Sequence, residues 1–144
     1  MFHLDHLGIA VRSLAVSVPL YCRLLGLDEA AVEYHDVPSE KVRVAMLKGN
    51  TTIELLEPTE QDTSLARFIE KRGEGFHHWC FRAPAPLEDK LVELESQGFE
   101  LLDASPRVGA EGRVCFIHPR SSGGILTEFV EDGTRDQGPG TRDW

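Results

Sequence analysis

Apolar and polar positions alternate through Leu4-Asp5-His6-Leu7-Gly8-Ile9-Ala10-Val11, a period of two that predicts a strand opening just after a histidine. The same pattern returns in Phe76-His77-His78-Trp79-Cys80-Phe81. After each strand the period lengthens to that of a helix. In the first copy Ser13 is the expected N-cap, Leu14, Val18, Tyr21 and Leu25 form the apolar stripe, and Gly26 ends it. Pro19 conflicts with that helix and predicts a kink or a late start. In the second copy Pro86 opens the first turn, Leu87, Leu91 and Leu94 are the stripe, and Gly98 closes it.

Strand periodicity then resumes. Val42, Val44 and Met46 alternate with Lys41, Arg43 and Ala45, and a Lys48–Thr51 turn leads into Thr52-Ile53-Glu54-Leu55-Leu56. In the second copy Val114–Ile117 leads through residues 118–124 into Ile125–Val130. Each half reads strand, helix, then two or three strands. His6 and His78 are 72 positions apart, Gly26 and Gly98 are 72 apart, and Glu54 and Glu128 are 74 apart, which marks a duplication. Module one is expected over about 1–58, a connector helix over about 62–73 with Leu65, Phe68 and Ile69 packed inward, and module two over about 75–132. Residues 133–144 read as a polar, glycine-rich, flexible tail.

The repeat also sets out candidate chemistry. Glu54 stands between Ile53 and Leu55, and Glu128 between Thr127 and Phe129. Strand alternation turns each glutamate to the face opposite its neighbours, and a carboxylate in an apolar strand is costly to bury without a partner. Two such carboxylates and two strand histidines at matching positions, His6, Glu54, His78 and Glu128, suggest a shared divalent cation. Taken singly, a strand histidine is more often a hydrogen-bonded core residue; the duplicated spacing favours the metal. Mixed nitrogen and oxygen donors fit Co2+, Zn2+, Mn2+ or Ni2+, with iron also open.

Composition narrows the partners. The 144 residues carry a formal charge of −9, which disfavours nucleic acid and anionic membranes as partners. No apolar run reaches the roughly 20 residues of a membrane span. The N-terminus lacks the basic and apolar regions of a secretory signal. Three scattered cysteines, Cys22, Cys80 and Cys115, argue against a disulfide framework; each is expected as a small buried side chain, not a catalytic thiol. A cytoplasmic location is the expectation.

Four blocks, residues 5–11, 53–58, 71–78 and 118–128, resemble the vicinal-oxygen-chelate (glyoxalase/bleomycin resistance/dioxygenase) superfamily and, within it, the methylmalonyl-CoA epimerase family. The resemblance covers about residues 4–131. It implies an α+β fold in which two tandem βαβββ modules form a curved, barrel-like mixed sheet around a metal site. It places the ligands on His6, Glu54, His78 and Glu128, with His77 as a supporting neighbour and Glu128 doubling as catalytic base. The implied reaction interconverts the R and S forms of a 2-methylmalonyl-CoA thioester through a metal-stabilised enolate. An acyl-CoA substrate and a homodimer follow from the same resemblance.

Some relatives carry a second glutamate base where this chain has Val44, so the second acid/base is open. Glu40, Lys41 and Glu111 are charged residues near the strands and are expected on the surface. The loop Arg120-Ser121-Ser122-Gly123-Gly124 is the candidate substrate-binding segment, with an ordinary glycine-rich turn as the competing reading. The alternative functions are a glyoxalase I-type lactoylglutathione lyase, an extradiol-type dioxygenase and a non-enzymatic ligand-binding protein of the same fold. The His118–Gly124 segment argues against the first, the fourth ligand Glu54 against the second, and an aromatic content of only 8% against the third.

Overall fold

The computed structural model describes residues 1–109 and 111–133. The chain falls into two compact units, His6–His77 and, separately, Met1–Asp5 together with the chain from His78 onward.

In the first unit, β1 (Leu4–Ala10) leads into α1 (Leu14–Leu25), followed by β2 (Glu33–Val37), β3 (Val42–Lys48), β4 (Thr52–Pro58) and α2 (Ser64–Arg72). The strand order is β2-β3-β4-β1, with β1 parallel to β4 and the other pairs antiparallel. Ser13 caps α1 by accepting the Val16 N–H, and Gly26 ends it at φ 72°, a left-handed conformation that a residue with a Cβ adopts only at a cost. The helix begins at Leu14 despite Pro19 within it, so no late start occurs. Its buried face is Leu14, Ser17, Val18 and Cys22, of which Leu14, Val18 and Cys22 cluster with Ala45, Leu47 and Leu55. Burying each such aliphatic side chain contributes about 1.5–3 kcal/mol.

The predicted stripe errs at one end. Leu25 is 49% exposed. It lies in the right direction around the helix, but it is the last helical residue, next to the Gly26 cap. The connector helix matches expectation: Thr63 caps it, Leu65 and Ile69 are buried, Phe68 is half-buried, and Gly73 is the C-cap.

In the second unit, β5 (Gly75–Ala83) precedes α3 (Leu87–Ser96), then β6 (Arg107–Gly109), β7 (Gly112–Ile117) and β8 (Leu126–Glu131), in the order β5-β8-β7-β6. β5 is parallel to β8; the remaining pairs are antiparallel. Leu87, Leu91 and Leu94 are the buried face of α3. Leu87 and Leu91 pack with Ala83 and Cys115. Pro86 takes the N-cap position, one residue before the helix proper. The first residues of the chain belong to this unit for local reasons. Arg82 N–H donates to the His3 carbonyl at 2.9 Å, the Arg82 guanidinium meets buried Asp5 at 3.2 Å, and the Phe2 ring sits edge-on to Phe81.

Both expected βαβββ modules are therefore present. All three cysteines are free and buried, as expected, and burial pushes the Cys115 thiol up to about 11. The tail expected over 133–144 lies, from residue 134 on, outside the described residues. Among the described residues no helix is long and apolar enough to cross a membrane.

Candidate metal centre

Each unit carries the same side-chain pair. In the first, His6 of β1 and Glu54 of β4 are 3% and 4% exposed, with Nδ1 and Oε2 3.5 Å apart. The register explains the approach: β4 sets Glu54 opposite Gly8, which adds no side chain beside the carboxylate, and opposite Met46 of β3. Ile53 and Leu55 point the other way, into the cluster under α1. In the second unit, His78 of β5 and Glu128 of β8 are 6% and 7% exposed, with Nε2 and Oε1 3.1 Å apart. Glu128 pairs with Cys80 on one side and Phe116 on the other, and the Phe116 ring is edge-on to His78.

The donor set suits a divalent first-row ion. Two donor atoms each about 2.1 Å from one ion and about 90–110° apart lie roughly 3.0–3.4 Å from each other. The 3.1 Å separation of His78 and Glu128 falls within that spacing, and the 3.5 Å separation of His6 and Glu54 lies just beyond it. Neutral imidazole nitrogen with carboxylate oxygen is also the mixture that zinc, cobalt, manganese and nickel accept.

The structure brings each half of the predicted ligand set together within its own unit. His77 does not stand with His78: adjacent strand residues face opposite ways, and the His77 ring packs edge-on against Phe68 at 4.8 Å. Of the charged residues expected on the surface, Lys41 is exposed and pairs with Glu60 at 3.5 Å, and Glu40 is half-buried. Glu111 is a correction, since it is only 7% exposed. It directly precedes Gly112, which pairs with Gly109.

The loop over 120–124 is a self-bonded turn. Ser121 N–H donates to the His118 carbonyl, and the Ser122 and Gly124 N–H groups donate to the Pro119 carbonyl. Ser121 Oγ accepts the Glu100 N–H, and Ser122 Oγ donates to the Ile125 carbonyl. The Arg120 guanidinium is held by Glu100 at 2.8 Å, and this contact keeps the Glu100 carboxyl below the usual carboxylate range.

A second repeated pair escaped the sequence reading. Glu57 accepts the Leu14 N–H at 2.6 Å, and Glu131 accepts the Leu87 N–H at 2.8 Å. Each closing strand thus supplies a carboxylate to the first amide of its unit's helix, where orphan donors and the helix dipole favour an anion. The signal was in the sequence as Glu-x-x-Glu, at 54–57 and again at 128–131. Glu131 is further gripped by Arg113 at 2.7 Å, which with the Leu87 amide holds its carboxyl below the usual range.

Comparison with known proteins gives one consistent picture. Residues 5–116 match the sequence profile of the glyoxalase/bleomycin resistance protein/dioxygenase superfamily. An uncharacterised protein of Bacillus subtilis is 39% identical over 133 residues, 91% of this chain and 93% of its own. The ethylmalonyl-CoA/methylmalonyl-CoA epimerase of Cereibacter sphaeroides is 35% identical over 135 residues, 89% of this chain and 96% of its own. The crystal structure of methylmalonyl-CoA epimerase from Mycobacterium tuberculosis superimposes with a TM-score of 0.83 at 33% identity, covering 91% of this chain and 88% of that one.

Proposed function

Because the chain belongs to the glyoxalase/bleomycin resistance/dioxygenase superfamily, we propose that it is a metal-dependent epimerase interconverting the R and S forms of a 2-methylmalonyl-CoA thioester. The observation that carries this reading is the buried histidine–glutamate pair repeated in each unit, in a chain 35% identical to an epimerase of such thioesters.

In this reading His6, Glu54, His78 and Glu128 hold one divalent ion between them. When bound, that ion supplies a Lewis acid at the thioester oxygen, where charge grows as the α-proton leaves. Glu128 moves the proton: its carboxylate takes the α-hydrogen on one face of the carbon, and its carboxylic acid returns one there. Arg120, Ser121, Ser122, Gly123 and Gly124 form the substrate loop. What supports that role is chain position, because the turn enters β8 at Leu126, two residues before Glu128. Burial of all four ligands keeps bulk water from competing for the proton.

The test is exchange of the methylmalonyl-CoA α-proton with deuterated water, followed by mass spectrometry, on protein stripped with EDTA and then reloaded with Co2+, Zn2+, Mn2+ or Ni2+. Exchange that depends on the ion is expected, at about one ion per chain. Absence of exchange with the ion bound overturns the epimerase reading. Turnover of a methylglyoxal–glutathione adduct in its place would assign the glyoxalase reaction.

A further inference from the structure

We propose that His35 is the second acid/base of this site, exchanging a proton on the face of the α-carbon that Glu128 does not serve. The inference rests on the epimerase reading above. Epimerisation breaks a C–H bond on one side of a carbon and makes one on the other. It therefore needs two proton-handling groups, and Glu128 supplies one.

Strand register puts His35 on the face that carries Glu54. His35 pairs with Val44, which pairs with Leu56; Glu33 pairs with Met46, which pairs with Glu54. Residues directly opposite one another share a face, so Glu33, His35, Val44, Met46 and Glu54 all project to the same side. His35 is two strands from Glu54 and one two-residue step along, so their backbones are about 12 Å apart given strand spacings of about 4.8 Å and rises of about 3.4 Å. That gap would leave room for an ion held by Glu54 and a small branched diacid head before the imidazole.

The surroundings favour proton exchange over a purely structural role. The His35 side chain is 13% exposed, beside buried Val37, Val42 and Val44 on that face. Glu33 Oε1 stands 3.6 Å from His35 Nε2, an ion-pair distance. The Lys48 ammonium, 2.6 Å from Glu33, is the main cause holding that carboxyl below its usual range, with His35 contributing. A carboxylate beside one ring nitrogen holds the imidazole in a fixed orientation, as a proton-exchanging histidine requires.

The other titratable groups on this face are committed. His6 and Glu54 belong to the ligand set, and Lys48 and Glu33 hold each other at the rim. In the second unit the matching position, opposite Val114, is Arg107. Its guanidinium lies over the Phe116 ring and pairs with Asp103 at 3.2 Å. An arginine stays charged and cannot trade a proton. Of the two equivalent positions, only His35 can act as a base.

The step balances. The imidazole takes the α-hydrogen as a proton, and the C–H electron pair passes into the thioester as an enolate. The Glu128 carboxylic acid then delivers a proton to the opposite face. His35 ends protonated and Glu128 ionised, and exchange with water restores both; the reverse direction uses the same two groups.

The experiment compares wild type, His35→Gln and His35→Ala, all loaded with Co2+, on separated R and S methylmalonyl-CoA in deuterated water. Epimerisation in both variants is expected to fall by about 100-fold or more, the usual contribution of an acid/base group. Exchange should persist on one epimer and vanish on the other, with bound cobalt and Tm unchanged. Added imidazole should restore exchange of the silent epimer in His35→Ala. Epimerisation within a few-fold of wild type, or equal loss of exchange from both epimers, overturns the assignment and leaves His35 as the structural partner of Glu33. A wild type that exchanges neither epimer fails at the earlier step and takes the epimerase reading with it.

Discussion

Replacing His6 and Glu54 together with leucine separates a metal-ligand pair from ordinary core residues by the sign of its effect. The Glu54 carboxylate is 4% exposed, with the His6 ring 3.5 Å away and fully buried Met46 across the strand. Removing one partner of a buried pair alone is destabilising, by about 3–5 kcal/mol, but exchanging both partners for apolar residues of similar size is often stabilising, by about 1–4 kcal/mol. For a chain of this size each kcal/mol moves Tm by about 3 °C, so in EDTA the double variant should melt about 3–12 °C above wild type. With Zn2+ at about 100 times its Kd, wild type gains RT ln(1 + [L]/Kd), about 2.7 kcal/mol or roughly 8 °C. If losing both ligands weakens binding about 100-fold or more, the double variant gains at most about RT ln 2, or about 0.4 kcal/mol, at the same concentration. Scanning calorimetry with and without EDTA, paired with metal analysis by mass spectrometry, reads both effects. A double variant less stable than wild type in EDTA, with its zinc shift intact, would refute the reasoning and make His6 and Glu54 packing residues.

The grip of Arg113 and the Leu87 amide on Glu131 depresses that carboxyl in the folded state. The unfolded chain therefore takes up the proton first, so the stabilisation is full above the unfolded carboxylate pKa of about 4.3 and disappears as pH falls through the lower folded value. Urea midpoints measured from pH 6 down to pH 3 should drop more steeply for wild type than for Glu131→Gln; parallel curves would contradict the contact. Leu87→Ala, at a fully buried position on the inner face of α3, should cost about 2–5 kcal/mol in urea denaturation, and a loss under 1 kcal/mol would mean that the helix does not pack as described.

The modules were legible because their signals are local and repeated. Ser13, Gly26, Thr63 and Gly73 sit at helix ends as their chemistry predicts, and the alternation at 42–46 and 114–117 became β3 and β7. Periodicity gives the direction in which a side chain points, not how far the surface beneath it extends: Leu25, last in the predicted stripe, is 49% exposed although Leu14 and Val18 are buried. The edge strands were harder to read. β2 is Glu-Tyr-His-Asp-Val and β6 has three residues, and short, charged edges carry little hydrophobic pattern because they avoid pairing with other chains. His35 went unread for the same reason: without β2 it has no register and no face.

The Glu-x-x-Glu of each closing strand ties the site to the scaffold. Three residues along a strand reverse the facing, so Glu54 and Glu57 project to opposite sides, as do Glu128 and Glu131. Glu57 is fastened to the first amide of α1 and Glu131 to the first amide of α3. The strand segment that presents Glu54 is thereby anchored, three residues on, to a helix whose own position is set by Leu14, Val18 and Cys22 in the core. In the other unit Arg113 adds a second hold on Glu131. A ligand displaced by even about 0.5 Å loses much of its worth, so a site on adjacent strands needs its supporting shell fixed. The helix caps do this from the far face of the strands and leave the facing side free for the histidine.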